Sequence, residues 1–172
     1  MAEGSALLPF SFYTTLDKAQ SLNVASDIDS NFRSVRARVD AACARAGRAP
    51  DQVAIVGVTK KHPTEVVSAA AGAGVSDIGE NYVQEMVEKN EAIGDTVRWH
   101  FIGHLQRNKV RQIASFVHMI HGIDSERLAI EIAEQAREAG RTIPVLLQVN
   151  TSGEESKFGV PPDEAVALGS RL

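Results

Sequence analysis

The sequence predicts a parallel α/β fold, and three observations carry that prediction. Five short apolar, β-branched-rich runs begin near residues 53, 75, 97, 117 and 144. A helical pattern separates each run from the next, with glycine, proline or asparagine at the joints. The spacing, about 20 to 27 residues, holds one strand and one helix, which requires parallel strands joined by right-handed crossovers. A doubly wound open sheet and a (β/α)8 barrel both satisfy this pattern. A barrel needs eight such units and typically about 250 residues. Five are visible in these 172 residues, so the sheet is either open or a barrel lacking its last three strands.

Each element has its own signal. Ser26 or Asp27 suits the cap of a first helix with Ile28, Phe32, Val35, Val39 and Ala42 on one face and Gly47 as its stop. The first strand is Val53 to Thr59. Pro63 and Thr64 open a small-residue helix over Glu65 to Ala71, closed by Gly72 and Gly74. A second strand, Val75 to Ile78, leads through Gly79-Glu80-Asn81 into a helix over Val83 to Asn90. The third strand, Val97 to Ile102, ends at Gly103, and a polar helix follows over Asn108 to Ala114. The fourth, Val117 to Ile120, runs through His121-Gly122 to Asp124. That residue is placed to cap a longer helix with Leu128, Ile132, Ala136 and Ala139 on one face. The fifth, Pro144 to Val149, ends at Asn150. A loop from Thr151 to Pro162 precedes a last helix.

Composition narrows the class. Hydrophobic residues make up 44% of the chain and charged residues 23%, as in an average soluble globular protein. A formal charge of −4 without a basic cluster gives no reason to expect nucleic acid or an anionic membrane. No apolar run approaches a membrane span. The one cysteine, Cys43, has no internal partner and sits near the apolar face of the first helix, which fits a reducing compartment and burial. Residues 1–25 mix Ser, Thr and scattered aromatics without period and hold one basic side chain, Lys18. They read as an irregular extension, with neither a secretory signal nor an arginine-rich transit peptide. The expectation is a cytoplasmic protein.

Ligands of parallel α/β folds bind at the C-terminal ends of the strands. There the first strand stops abruptly in Thr59-Lys60-Lys61-His62-Pro63. A lysine at such a tip can enter a pocket, where desolvation favours its neutral, nucleophilic amine. Most lysines at strand ends simply stay in water. The other strand ends offer Glu80, Asn81 and Tyr82; His100, His104 and Gln106; His121 and Asp124; Gln148 and Asn150. His100 and His104 have no third ligand placed beside them, so no metal site is expected. No Gly-x-Ser-x-Gly elbow, P-loop or Gly-x-Gly-x-x-Gly occurs.

Residue chemistry alone stops at an α/β protein with a lysine in a candidate site. A further set of segments goes beyond it. Val-Thr-Lys-Lys-His-Pro at 58–63, Gly-Glu-Asn-Tyr-Val-Gln-Glu at 79–85 and Trp-His-Phe-Ile-Gly-His-Leu-Gln-Arg-Asn-Lys at 99–109 occur in order. His-Gly-Ile-Asp at 121–124 and Gln-Val-Asn-Thr-Ser-Gly-Glu-Glu-Ser-Lys-Phe-Gly at 148–159 follow. Over residues 27–172 the chain resembles the pyridoxal phosphate homeostasis protein family, itself similar to the N-terminal barrel domain of alanine racemase.

The resemblance implies a TIM-type (β/α)8 barrel of the alanine racemase N-terminal kind, truncated after about five βα units, with residues 26–172 as a partial pyridoxal-phosphate-binding barrel. It implies pyridoxal 5'-phosphate as cofactor, held as an aldimine on Lys60, with Lys61 near the surface. Asn81 is implied as a contact to the cofactor ring, although it also suits a left-handed turn after Gly79. His100, Gln148 and Asn150 are implied to line the same cavity; no catalytic residue or metal ligand is assigned. Gln106, Asn108 and Lys109 are expected to shape the helix after the third strand, and Lys157 to be solvated. The implied role is vitamin B6 homeostasis, as carrier or regulator of the cofactor, with cofactor-requiring apo-enzymes as possible recipients. A racemase-like or decarboxylase-like activity and a cofactor-free remnant are the alternatives. The family's phosphate-holding strands seven and eight have no counterpart here, so a further segment or a second copy is expected to complete the barrel.

Overall fold

A computed structural model describes residues 18–172, Glu155 excepted. The elements run α1 (Lys18–Arg45), β1 (Val56–Val58), α2 (Thr64–Gly72), β2 (Asp77–Glu80), α3 (Val83–Ile93), β3 (Arg98–Phe101), α4 (Val110–Ile113), β4 (Met119–Ile123), α5 (Glu126–Glu138), β5 (Val145–Leu147) and α6 (Pro162–Gly169). Every predicted strand and helix from residue 26 onward is present. β1, β3 and β5 are shorter than expected, β4 runs on to Ile123, and β2 runs two residues later, bringing Glu80 into the sheet.

Strand order decides between the two architectures. The sheet runs β1-β2-β3-β4-β5, parallel throughout and in chain order. Successive helices pack on one another in the same order, α1 on α2, α2 on α3, α3 on α4 and α4 on α5. Right-handed crossovers that never reverse direction put all helices on one side. That is an arc of a barrel. A doubly wound sheet reverses at a switch point.

The register separates two faces. Gly57, Ile78 and Trp99 lie abreast, as do Glu80, Phe101 and Ile120. These rows face the helices, and Ile78, Trp99, Phe101 and Ile120 are at most 1% exposed. Val67, Met86, Val110, Ile113, Leu128 and Ile132 supply the helix side of this core. The opposite, concave rows are Val56, Asp77 and Arg98, then Val58, Gly79, His100 and Met119. Val58 is 48% exposed whereas Asp77 and His100 are buried, so among the described residues the concave face is open at β1 and filled in its middle.

The N-terminal boundary needs correction. Residues 1–17 of the expected extension lie outside the described residues, but residues 18–25 belong to α1. Ser26 and Asp27 sit inside the helix: a capping residue starts a helix only where the preceding segment cannot extend it, and residues 18–25 hold no glycine or proline. The buried face also shifts slightly. Ile28 and Phe32 pack on the core and Cys43 is buried, whereas Val35 is exposed. Asp124 does not cap α5; Ser125 occupies that position, and Asp124 turns to His104 at 3.3 Å.

Candidate functional site

The C-terminal tip of β1 is organised by a buried polar cluster on its helix side. Thr59 Oγ1 donates to Glu80 Oε1 at 2.6 Å, and Lys89 Nζ of α3 donates to the same oxygen at 2.6 Å. Lys89 also donates to the Thr59 carbonyl at 2.8 Å and to Glu85 Oε2 at 3.3 Å. Lys89 and Glu80 are 5% and 0% exposed. Beyond Thr59, the His62 amide donates to the Thr59 carbonyl, closing a turn around Lys60 and Lys61. Thr59 turns to the helix side, and Lys60 follows it in the turn just beyond β1, ahead of Lys61. Lys60 and Lys61 are both exposed. The enclosure expected around Lys60 is absent among the described residues, because the concave side of the arc has no opposing strands there.

Asn81 stands at the tip of the neighbouring strand. Its Oδ1 is buried and has no hydrogen-bond partner among the described residues. Gly103 packs directly on this segment: a Cβ there would lie 2.2 Å from the Asn81 carbonyl oxygen, which no side chain tolerates. Asn81 does not take the left-handed turn considered from its sequence. The one non-glycine residue at positive φ among those described is Lys61, at 61°. Asn81 lines a cleft of 390 Å³ with Tyr82, Gly103, His104, Gln106 and Lys109. Lys60 does not line it.

His100 lies deeper, in the concave row with Val58 and Gly79. Its Nε2 meets Asp77 Oδ1 at 2.9 Å and its Nδ1 meets His121 Nε2 at 2.9 Å. Arg98 grips Asp77 with Nε on Oδ1 at 2.7 Å and Nη2 on Oδ2 at 2.6 Å. Burial pushes the Asp77 carboxyl up, but hydrogen bonds from Arg98, Ser76 and His100 and the Arg98 charge outweigh it and hold the group down at about 2. Burial and the neighbouring His100 lower His121; the same two causes, with Arg98, lower His118. Ligand-type atoms of Asp77, His100 and His118 lie within 4.8 Å of one another. With both Asp77 oxygens engaged by a guanidinium, this is an ion-pair network and a poor cation site. His104 keeps different company, stacked on Phe158 with ring centroids 3.8 Å apart.

Gln148 and Asn150 order the loop after β5. Gln148 Nε2 donates to the Phe158 carbonyl. Asn150 Nδ2 donates to the carbonyls of Glu154 and Lys157, while its Oδ1 accepts from the Ser152 and Gly153 amides and the Ser152 hydroxyl. The Asn150 amide is thus engaged with its own loop at both ends. Of the five predicted site residues, the structure puts Lys60 and Asn81 on adjacent strand tips and His100 on the concave floor. Gln148 and Asn150 sit at the far edge. The cluster of Thr59, Glu80, Glu85 and Lys89 was missed; the Glu85 to Lys89 step of four on one helix was its only signal.

The model of the alanine racemase N-terminal domain matches residues 27–172. The chain belongs to that family. The pyridoxal phosphate homeostasis protein of Pseudomonas aeruginosa is 40% identical over 148 residues, covering 86% of this chain and 64% of that protein. Among solved structures, an unknown protein from Bifidobacterium adolescentis superposes with a TM-score of 0.79 at 33% identity, covering 92% of this chain and 67% of that one. PipY of Synechococcus elongatus, solved with PLP bound, superposes with a TM-score of 0.71 at 31% identity, covering 84% and 63%. The expected resemblance to pyridoxal phosphate homeostasis proteins therefore holds, as does the expected fold. The chain spans less than two thirds of the length of the curated relative.

Proposed function

We propose that this chain binds pyridoxal phosphate through the amine of Lys60 and acts as a carrier or regulator of the cofactor's level. One observation carries the reading: Lys60 stands exposed at the C-terminal tip of β1, and the next strand tip holds Asn81 with a buried amide oxygen that no described residue satisfies. An orphaned buried acceptor marks a place where a polar ligand belongs. The residues present fit the reactive end of the group. When bound, pyridoxal phosphate supplies an aldehyde carbon that a neutral primary amine attacks, forming a C=N bond with loss of one water. Lys60 provides that amine, Asn81 a polar contact from the adjacent strand tip, and His100 the buried floor of the concave face. Gln148 and Asn150 contribute by holding the loop that rims the far side.

The relatives support the reading through their names, and PipY through its bound PLP. An anionic phosphate needs several donors, and these belong to a segment that pairs beyond β5 and faces Lys60. We place a complementary segment or a second copy there, and cofactor-requiring apo-enzymes as recipients. The protein acts in the cytoplasm in this reading; no described helix is long and apolar enough to cross a membrane. The test is the visible spectrum of the purified chain with pyridoxal phosphate beside that of Lys60→Ala. A new absorbance band in the wild type and none in the variant is expected. Equal bands in both overturn the assignment to Lys60.

A further inference from the structure

We propose that Glu85, backed by the buried Glu80–Lys89 pair, is a positioning group that fixes the turn carrying the Lys60 amine at the tip of β1. This deepens the cofactor reading and rests on it. Lys60 is flanked by two backbone groups held from the same helix, α3. On its N-terminal side, the Thr59 carbonyl accepts from Lys89 Nζ at 2.8 Å. On its C-terminal side, the Lys61 amide donates to Glu85 Oε2 at 2.8 Å. Lys89 links the two anchors, since it donates to Glu85 Oε2 as well. Its ammonium has three N–H groups and meets three acceptors, the Thr59 carbonyl, Glu80 and Glu85.

The backbone needs such a clamp. Lys61 adopts φ +61°, a conformation disfavoured for a side chain with a Cβ. It follows directly on the residue that carries the amine. Without an acceptor for the Lys61 amide, the turn relaxes and Lys60 loses its fixed bearing. A buried ion pair is poor evidence of stabilisation for its own sake. One that holds the Thr59 carbonyl directly and the Lys61 amide through Glu85, on either side of Lys60, has a directional use.

The test compares Glu85→Ala, Glu85→Gln and the wild-type chain by two readouts. Glu85 is 18% exposed, and its removal leaves Lys89 paired with Glu80 at 2.6 Å. The first readout is hydrogen exchange at the Lys61 amide, which needs no cofactor. Exchange is expected to rise roughly tenfold or more in Glu85→Ala and to return in Glu85→Gln, whose carbonyl still accepts that N–H. The second is the pyridoxal phosphate concentration for half-maximal borohydride labelling of Lys60, expected to rise about tenfold in Glu85→Ala. Unchanged Lys61 exchange overturns the clamp. Lost protection with unchanged half-saturation overturns its role in positioning. Lost protection in the variant, with no labelling even in the wild type, overturns the cofactor reading and with it the clamp's purpose, leaving a turn held by Glu85.

Discussion

Glu80 is the residue with most at stake in the fold. It is fully buried at the end of β2 and faces Lys89 at 2.6 Å. Lys89→Met leaves that carboxylate without its cation and should cost about 3 to 5 kcal/mol. Adding Glu80→Gln removes the stranded charge and should recover most of the loss in urea denaturation. Asp77 is the second such residue. Its folded carboxyl titrates at about 2, below the unfolded value of about 3.9, so its stabilisation is present above pH about 4 and is lost as pH falls toward 2. With Arg98 half exposed, solvent screening reduces this to about 1–2 kcal/mol. His118 and His121 are lowered too, so their contribution is full above the ordinary histidine range and declines as pH drops below about 6.5. Urea midpoints measured from pH 8 to 5 should fall, and His121→Phe should flatten that slope.

At the scale of elements, alternation along the strands makes a sharp contrast. Ile78 faces the helices and is fully buried; Val58 faces the concave side and is half exposed. Ile78→Ala should cost about 2–5 kcal/mol and Val58→Ala under about 1 kcal/mol, read from denaturant midpoints. This layer was legible in the sequence because apolar runs and breakers report local pattern, and they placed every strand from Val53 onward. Which residues cluster across strands was not. His100, Asp77 and His121 come together only through register, and Lys89 reaches Thr59 only because α3 folds back over two strands. The start of α1 was misread for a related reason. Ser26 and Asp27 have the chemistry of a cap, but the chain before them is equally able to be helical.

For the whole molecule, the decisive feature is an arc of five parallel strands that no described strand closes into a barrel. Val58 on β1 and Val145 and Leu146 on β5 are exposed, and unpaired strand edges invite a further strand. A groove of 490 Å³ between α5 and β5, lined by Ile130, Ala133, Val145 and Leu172, adjoins the β5 edge. Co-expression with the C-terminal third of the Pseudomonas relative should give a complex on size exclusion, with a higher thermal midpoint than either part. The sequence conveyed this architecture through the count of its βα units and its family motifs. Periodicity alone left the open sheet and the barrel arc equal, since both have the same local pattern and differ only in strand order.

The claim at the centre is chemical, and one measurement addresses it most directly. The chain is incubated with pyridoxal phosphate, reduced with borohydride and digested, and the label is mapped by mass spectrometry over Lys18, Lys60, Lys61, Lys89, Lys109 and Lys157. The account predicts label concentrated on Lys60 at low cofactor concentration, with its neighbour Lys61 largely unmodified. Label spread evenly over the exposed lysines, or concentrated on any lysine other than Lys60, contradicts it.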